Sequence, residues 1–136
     1  MSETLEEEII RHEGLVLKMY DCPAGYKTIG VGHNLEAKPI SKRAAMVILE
    51  DDLADCMTDL DNAFSWWDQL TGDAREVVVN MCFNMGITRL KRFKRMWAAL
   101  EGRDYEGAAD EMLDSQWALQ VPTRANELAD KMRNCA

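Results

Sequence analysis

The residues best suited to chemistry lie in one stretch near the amino terminus. This stretch runs from Glu13 to His33 and reads EGLVLKMYDCPAGYKTIGVGH. Glu13 stands at the end of a predicted helix, where the partial negative charge of the helix favours the protonated form of a carboxyl group. Gly30 and Gly32 follow a predicted turn, and glycine allows a ligand to approach the backbone closely. The pattern predicts a carboxylic acid held over a glycine-lined surface, which suits an acid that acts on a bound ligand.

The elements that must position this stretch are also visible in the sequence. Thr4 and Glu7 have the spacing of a capping box, and they predict a helix over residues 4–13. Apolar and polar residues alternate from 15 to 35, which predicts the short strands of a β-hairpin. Apolar residues spaced by three and four then predict a long helix over residues 41–61.

The rest of the chain is predicted to be helical. The segment VVVNMCFNMG is apolar nearly all round, which is typical of a central buried helix. Asp73 and Glu76 predict a capping box at its start. Its polar exceptions are Asn80 and Asn84, and the simplest role of Asn80 is to satisfy backbone groups in the core. Further helices are predicted over residues 87–100, 104–113 and 123–134.

The length and charge of the chain exclude several classes of protein. The chain has 136 residues, enough for one domain with a real core. A net charge of −8 argues against a nucleic-acid binder, because affinity for phosphate comes from clustered Lys and Arg. Five basic residues nevertheless fall within the window Arg89–Arg95. This window is either a solvated helix face or a surface that meets an anionic wall polymer.

The cysteines and the chain ends bear on metals, redox state and location. Four cysteines without a Cys-x-x-Cys pair, together with only two histidines, predict no metal site and favour free thiols. The acidic amino terminus lacks a signal-peptide pattern, and no apolar run approaches the length of a membrane span. We therefore expect a monomer that needs no cofactor, binds no nucleic acid, does not insert stably into a membrane and is made in a cytoplasm. The cysteines are Cys22, Cys56, Cys82 and Cys135.

The Glu13–His33 stretch resembles the motif of the T-even-type bacteriophage lysozymes, glycoside hydrolase family 24. In that motif a Glu, an Asp, a Thr and a Gly-x-Gly-His follow one another at set spacings. Glu13 and Thr28 match the motif, as does the segment Gly30–His33, whereas Cys22 stands where the family has its Asp. The resemblance covers nearly the whole chain, including SQWALQVPTRA near the carboxyl terminus.

The resemblance implies a fold. It is an α+β fold, predominantly helical, with the two lobes of a lysozyme in a single domain over residues 1–136. The hairpin lobe would cover about 14–40, the connecting helix about 41–61 and the helical lobe about 62–136, packed with helix 4–13. The chain is shorter than the family's prototype between His33 and Ile40, so the hairpin side should be more open.

The resemblance also implies roles for residues. Glu13 would be the general acid, Thr28 would position the water, and Cys22 would take the place of the family's Asp. Arg124 would pair with Glu13, and His33 would pair with Asp52 to support the site. The residues expected to bind substrate are Gly30, Asn34, Phe83, Asn84 and Gln120, and no metal is expected.

The position of Cys22 leaves alternatives open. Glycoside hydrolysis usually needs an acid and, across the sugar ring, a base or nucleophile. A thiol with an ordinary pKa of about 8.5 supplies little thiolate at pH 7. A thiolate can nevertheless act as a base or as a nucleophile. Cys22 therefore works in place of Asp, or Asp21 swings in from the opposite face of the strand, or hydrolysis has been lost. Retention of Glu13, Thr28 and Arg124 favours the first.

Three functions follow. The favoured one is a muramidase, an endolysin that hydrolyses the β-1,4 bond between N-acetylmuramic acid and N-acetylglucosamine in bacterial peptidoglycan. Such an enzyme would be made in the host cytoplasm and would reach the periplasmic wall after release through the inner membrane. The alternatives are a lytic transglycosylase that uses Glu13 alone and a module that binds wall glycans without cutting them.

Overall fold

The computed structural model describes residues 2–135 and contains a three-stranded sheet and eight α-helices within them. The predicted α+β class, predominantly helical, is confirmed. The first elements are α1 (Leu5–Glu13), β1 (Val16–Asp21), β2 (Lys27–Gly30), β3 (His33–Asn34) and α2 (Lys42–Ala63). They are followed by α3 (Gly72–Met85), α4 (Ile87–Leu90), α5 (Lys94–Glu101), α6 (Tyr105–Leu113), α7 (Gln116–Gln120) and α8 (Pro122–Arg133).

The chain divides into two compact units. The first runs from Met1 to Val47 and the second from Ile48 to Ala136. Helix α1 and the sheet belong to the first unit, and the helices from α3 onward belong to the second. The packing of helix 4–13 on the helical lobe stays a prediction.

Helix α1 begins and ends where its capping residues predict. The Thr4 hydroxyl accepts a hydrogen bond from the Glu7 N–H at 3.1 Å and donates to the Glu7 carboxylate at 3.0 Å. Gly14, with φ of 82°, ends the helix, and its N–H donates to the Ile10 carbonyl at 2.7 Å. A positive φ is accessible to glycine at little cost, so Glu13 is fixed as the last helical residue.

The sheet has one strand more than the predicted hairpin. Its order is β1-β2-β3 and both pairings are antiparallel. The register places Thr28 between Tyr20 on β1 and Asn34 on β3. Strand β3 has only two residues, which is too short for an alternating pattern to reveal it. Thr28 therefore lies in the middle strand of the sheet.

The core of the second unit is rich in methionine and leucine. Helix α3 is buried as predicted, with Val77, Val78 and Met81 fully enclosed. The other large side chains with no exposed surface come from α2, α4, α5, α6 and α8, so every long helix of the unit contributes to one core. They are Leu60, Leu90, Met96, Leu100, Met112 and Met132.

The predicted capping box of α3 is wrong. The helix begins at Gly72, two residues earlier than a cap at Asp73 predicts, and Asp73 lies in its first turn. Thr71 is the N-cap, but its side chain makes no capping bond, and its backbone N–H donates to the Tyr105 hydroxyl at 3.5 Å. The Glu76 carboxylate instead forms an ion pair with Lys131 on α8 at 2.7 Å. Glu76 therefore pairs with a residue that is distant in the sequence, Lys131, instead of capping its own helix.

The helix predicted over residues 87–100 is two helices. Helices α4 and α5 are separated by the segment 91–93. The Trp97 indole N–H donates to the Leu90 carbonyl at 3.0 Å, and the Phe93 ring packs edge-on against Trp117 at 6.3 Å. These contacts stabilise the interruption between α4 and α5. The spacing of apolar residues in the sequence does not reveal either contact. Helix α7, which was not predicted, lies between α6 and α8.

The buried thiols give a test of the core. Cys56 and Cys82 are free and buried, and burial, with Cys56 close by, raises the pKa of Cys82 to about 12. Cys22 and Cys135 are free and half-buried. We expect a disulfide reagent such as DTNB to titrate about two thiols per native chain and all four after unfolding. Cys22→Ser should reduce the native count by one. Four fast-reacting thiols in the native protein would contradict this core.

Candidate active site

Glu13 lies against the glycine surface of the first unit. A Cβ atom at Gly32 would lie 2.8 Å from Glu13 Oε2 and 3.1 Å from its Cδ, so the carboxyl group occupies the space that a side chain at Gly32 would need. Gly32 also has a φ of 64°, a conformation that side chains rarely adopt. The absence of a side chain at position 32 therefore makes room for the acid.

The side chains of Cys22 and Thr28 both form hydrogen bonds with the backbone of Tyr26. The Tyr26 N–H donates to Cys22 Sγ at 3.3 Å, while the Thr28 hydroxyl donates to the Tyr26 carbonyl at 2.8 Å. Thr28 is only 2% exposed, whereas Cys22 is half-buried. The turn after β1 therefore presents a thiol that solvent can reach, next to a hydroxyl fixed in the middle strand.

This environment favours the thiolate of Cys22. The pKa of Cys22 is lowered, chiefly by the Tyr26 N–H; burial opposes this as the next largest effect, and the backbone of Ala24, the Thr28 hydroxyl and the backbone of Gly25 lower the pKa further. Hydrogen bonds donated to a charged group stabilise that charge. The single hydroxyl hydrogen of Thr28 can go either to the Tyr26 carbonyl or to the thiolate. The sulfur is thus prepared to accept a proton.

Asp21 is engaged elsewhere. It pairs across the strands with Lys27, whose Nζ lies 2.6 Å from Asp21 Oδ1 and whose pKa the carboxylate raises. Both side chains are at least half exposed, so the pair contributes at most about 1 kcal/mol. The geometry nevertheless gives Asp21 a partner of its own, which disfavours it as a substitute for Cys22.

The predicted substrate residue Asn34 has a local partner. Its Oδ1 accepts hydrogen bonds from the N–H groups of Glu36 and Ala37, both at 3.0 Å, which closes a turn after β3. His33 Nε2 lies 3.0 Å from the Lys38 carbonyl in the same loop. Gly30 has a φ of 72° and open space around it. The side-chain oxygen of Asn34 therefore shapes this loop.

The second unit carries a groove of its own. Its cavity of about 640 Å³ is lined by α2, the segment 67–72, α3 and α8. Phe83 lines it with 43% of its surface exposed. Arg124 lines it too, and its Nε and Nη2 donate to Asn80 Oδ1 at 2.8 and 2.6 Å. Asn80 thus holds an arginine side chain, which differs from the backbone role expected for it, and this contact is one that the sequence did not reveal.

Two other predicted substrate residues do not line this groove. The Asn84 Oδ1 accepts the indole N–H of Trp117 at 2.7 Å, and the Gln120 Oε1 accepts from Arg89 Nη2 at 2.9 Å. Their oxygen atoms are engaged within the protein, which leaves their amide N–H groups as possible donors. The predicted pairs Arg124–Glu13 and His33–Asp52 join residues of different units, and both stay predictions.

Two further features bear on the chemistry. Between residues 2 and 135, no group of three or more His, Cys, Asp or Glu side chains is arranged to hold a metal ion. None of the helices in the same range combines the length and apolar character needed to cross a membrane. The chemical groups gathered in the first unit are a carboxyl, a thiol with a lowered pKa and a buried hydroxyl.

Comparisons with known proteins agree on one family. The model of the family described as phage lysozyme matches residues 10–130. The pre-baseplate central spike protein of Enterobacteria phage T4 is 28% identical over 153 residues, which cover 92% of this chain and 27% of that protein. An endolysin of Acyrthosiphon pisum secondary endosymbiont phage 1 is 32% identical over 108 residues, covering 77% of this chain and 72% of the endolysin. Probable T4-type lysozyme 2 of Dictyostelium discoideum is 24% identical over 157 residues, covering 94% and 92%. The chain therefore spans about a quarter of the spike protein but most of the other two.

The pKa of Cys22 can be measured directly. Because hydrogen bonds lower this pKa, we expect iodoacetamide to label Cys22 with a pH midpoint below that of the same cysteine in the unfolded protein, as followed by peptide mass spectrometry. Thr28→Val should move the midpoint upward because it removes a hydroxyl donor, whereas Thr28→Ser should keep it low. The shift stabilises the folded state above the pKa of the unfolded thiol, and this contribution is lost as pH falls through the folded pKa. Equal pH midpoints of labelling in the folded and unfolded protein would contradict a lowered pKa of Cys22.

Proposed function

The chain belongs to the phage lysozyme family, a family of glycoside hydrolases, and from this membership we propose that it is a muramidase that cuts bacterial peptidoglycan. The bond cut is the β-1,4 link between N-acetylmuramic acid and N-acetylglucosamine. The observation that carries the proposal is the Glu13 carboxyl against Gly32, in the same compact unit as the Cys22–Thr28 pair.

The proposed reaction uses Glu13 as acid and Cys22 as base. Glu13 gives its proton to the glycosidic oxygen as the bond from that oxygen to the anomeric carbon breaks. A water oxygen bonds to the anomeric carbon from the opposite face, and the Cys22 thiolate takes the proton that the water loses. Thr28 holds the water near the sulfur through its hydroxyl. A proton then passes from the thiol back to the Glu13 carboxylate through solvent, which restores both groups.

The groove of the second unit suits the glycan or its peptide. The exposed face of Phe83 offers an apolar surface for the C–H face of a sugar ring. Arg124, held in a fixed orientation by Asn80, offers a cation to the carboxylates that peptidoglycan carries. We further propose that the chain acts on the wall after release through the inner membrane.

The first experiment is clearing of purified peptidoglycan with analysis of the products. We expect Glu13→Gln and Cys22→Ala each to reduce the clearing rate by about 10² or more, a typical loss for an acid or base catalyst. Cys22→Asp should retain activity because it restores a carboxylate. It should also move the rise of activity with pH to lower pH, since a carboxyl group titrates below a thiol.

Each other outcome has a defined meaning. Full activity in Cys22→Ala would remove the base role from Cys22. An anhydro-sugar product, lighter than the hydrolysis product by one water, would establish a lytic transglycosylase. Binding of the glycan without clearing from pH 5 to 9 would leave a wall-binding module. An inverted anomer as the first product would support a base, and a retained anomer a covalent intermediate on sulfur.

The close approach of Glu13 to Gly32 gives a second test, with a matched control. Gly32→Ala and Gly25→Ala both place a side chain at a positive φ, of 64° and 87°, and each should cost roughly 1–2 kcal/mol of stability. Only Gly32→Ala also pushes a methyl group into the Glu13 carboxyl, because the space around Gly25 is open. We expect clearing to fall at least about tenfold in Gly32→Ala alone, with similar melting temperatures for the two variants. Equal activities would show that this contact does not position the acid.

A further inference from the structure

Five cations form an exposed surface at the junction of α4 and α5. They fall within seven consecutive positions, and all five are exposed. We call this surface the basic ridge. The whole chain carries a net charge of −8, and without these five residues it would carry −13. The ridge consists of Arg89, Lys91, Arg92, Lys94 and Arg95.

The backbone beneath the ridge is firmly anchored. Leu90 and Met96 have no exposed surface, and Trp97 is buried. The Trp97 indole N–H donates to the Leu90 carbonyl at 3.0 Å, and Phe93 turns inward against Trp117. The cations therefore project from a fixed support, so a ligand would not have to order the backbone when it binds.

No acid among residues 2–135 forms an ion pair with a cation of the ridge. The ion pairs of residues 2–135 lie elsewhere, for example between Lys131 and Glu76, and none includes a ridge residue. Arg89 donates to the neutral Gln120. Arg92, Lys94 and Arg95 line a cavity of about 410 Å³ together with the carboxylates of Glu111 and Asp114, neither of which comes within ion-pair distance of them. Like charges held side by side repel, and a bound anion relieves that repulsion.

We propose that the basic ridge binds a linear phosphodiester polymer of the bacterial envelope. The fork of an arginine matches two oxygens of a phosphate, and lysine adds a compact positive charge. Several such contacts along one polymer release counterions, which gives an affinity that falls steeply with salt. The ridge belongs to the second unit, whereas Glu13 and Cys22 belong to the first.

A linear polymer fits the ridge better than a lipid surface does. A planar anionic bilayer faces a broad area of the protein, and the rest of this protein is strongly acidic. A flexible chain can follow the ridge and keep away from those acids, because charges more than about 8–10 Å apart are largely screened at physiological salt. Stable membrane binding also gains from exposed apolar side chains, but Phe93, the aromatic residue within the ridge, packs inward.

The test measures binding of fluorescently labelled poly(glycerol phosphate) by anisotropy between 50 and 200 mM salt. This polymer has no glycosidic bond, so the wild-type enzyme can be used and failure of the muramidase proposal would not affect the result. The test variant replaces Arg92, Lys94 and Arg95 with glutamine. The control replaces three exposed cations of the first unit, Lys18, Lys42 and Arg43, and so changes the net charge equally.

We expect the ridge variant to bind at least about tenfold more weakly and to lose roughly two units of the log–log salt slope. The control should change affinity less than about twofold, and melting temperatures should confirm that both variants fold. Equal weakening of both variants would overturn the proposal, because net charge alone would then explain binding. Tighter binding to phosphatidylglycerol vesicles or to duplex DNA than to the polymer would overturn the choice of partner. If the wild-type protein did not bind the polymer at 50 mM salt, the whole proposal would be overturned.

Discussion

The close approach of the Glu13 carboxyl to Gly32, into the space that a side chain there would need, is the constraint on which the candidate chemistry depends. It requires α1 to end at Gly14, so that Glu13 is the last helical residue. It also requires the β2–β3 connection to pass close beneath the acid, which only a residue without a side chain allows. The sheet and the helix cap of the first unit can thus be understood as the support of one functional group. Local caps and hydrogen bonds therefore hold this carboxyl in place in a unit that has little buried apolar surface.

The second constraint is electrostatic, and it concerns Cys22, a thiol at the position where the resemblance implies a carboxylate. A carboxylate is ionised at neutral pH without help, whereas a thiol needs donors that favour its charged form. Here the donors are backbone N–H groups of the turn after β1, led by Tyr26. They belong to the loop that the sheet needs in any case. The lowered pKa of Cys22 therefore comes mainly from the backbone of an ordinary hairpin turn.

The features that the sequence predicted are those determined by near neighbours. The caps of α1 depend on residues three or four positions apart, and the buried character of α3 depends on composition alone. The break between α4 and α5 was missed because it depends on Phe93 reaching Trp117. The engagement of Asn84 was missed for the same reason, since its partner Trp117 lies 33 residues away. For the candidate site, motif spacing selected Glu13, Cys22 and Thr28, and their roles stay predictions. It could not reveal the contact between Asn80 and Arg124, because the two residues are 44 positions apart.

The methionines of the second unit have a consequence for the protein's tolerance of oxidants. Met81, Met96, Met112 and Met132 have no exposed surface, so four thioether sulfurs help to fill a single core. A thioether is adaptable in packing, but its sulfoxide is polar and does not fit where the sulfur did. A peroxide can reach these atoms only when the unit opens, and each oxidised sulfur then hinders its closing. Sulfoxide accumulation in this core therefore reflects how often the helices have separated, and it is irreversible unless a reductase repairs the methionines.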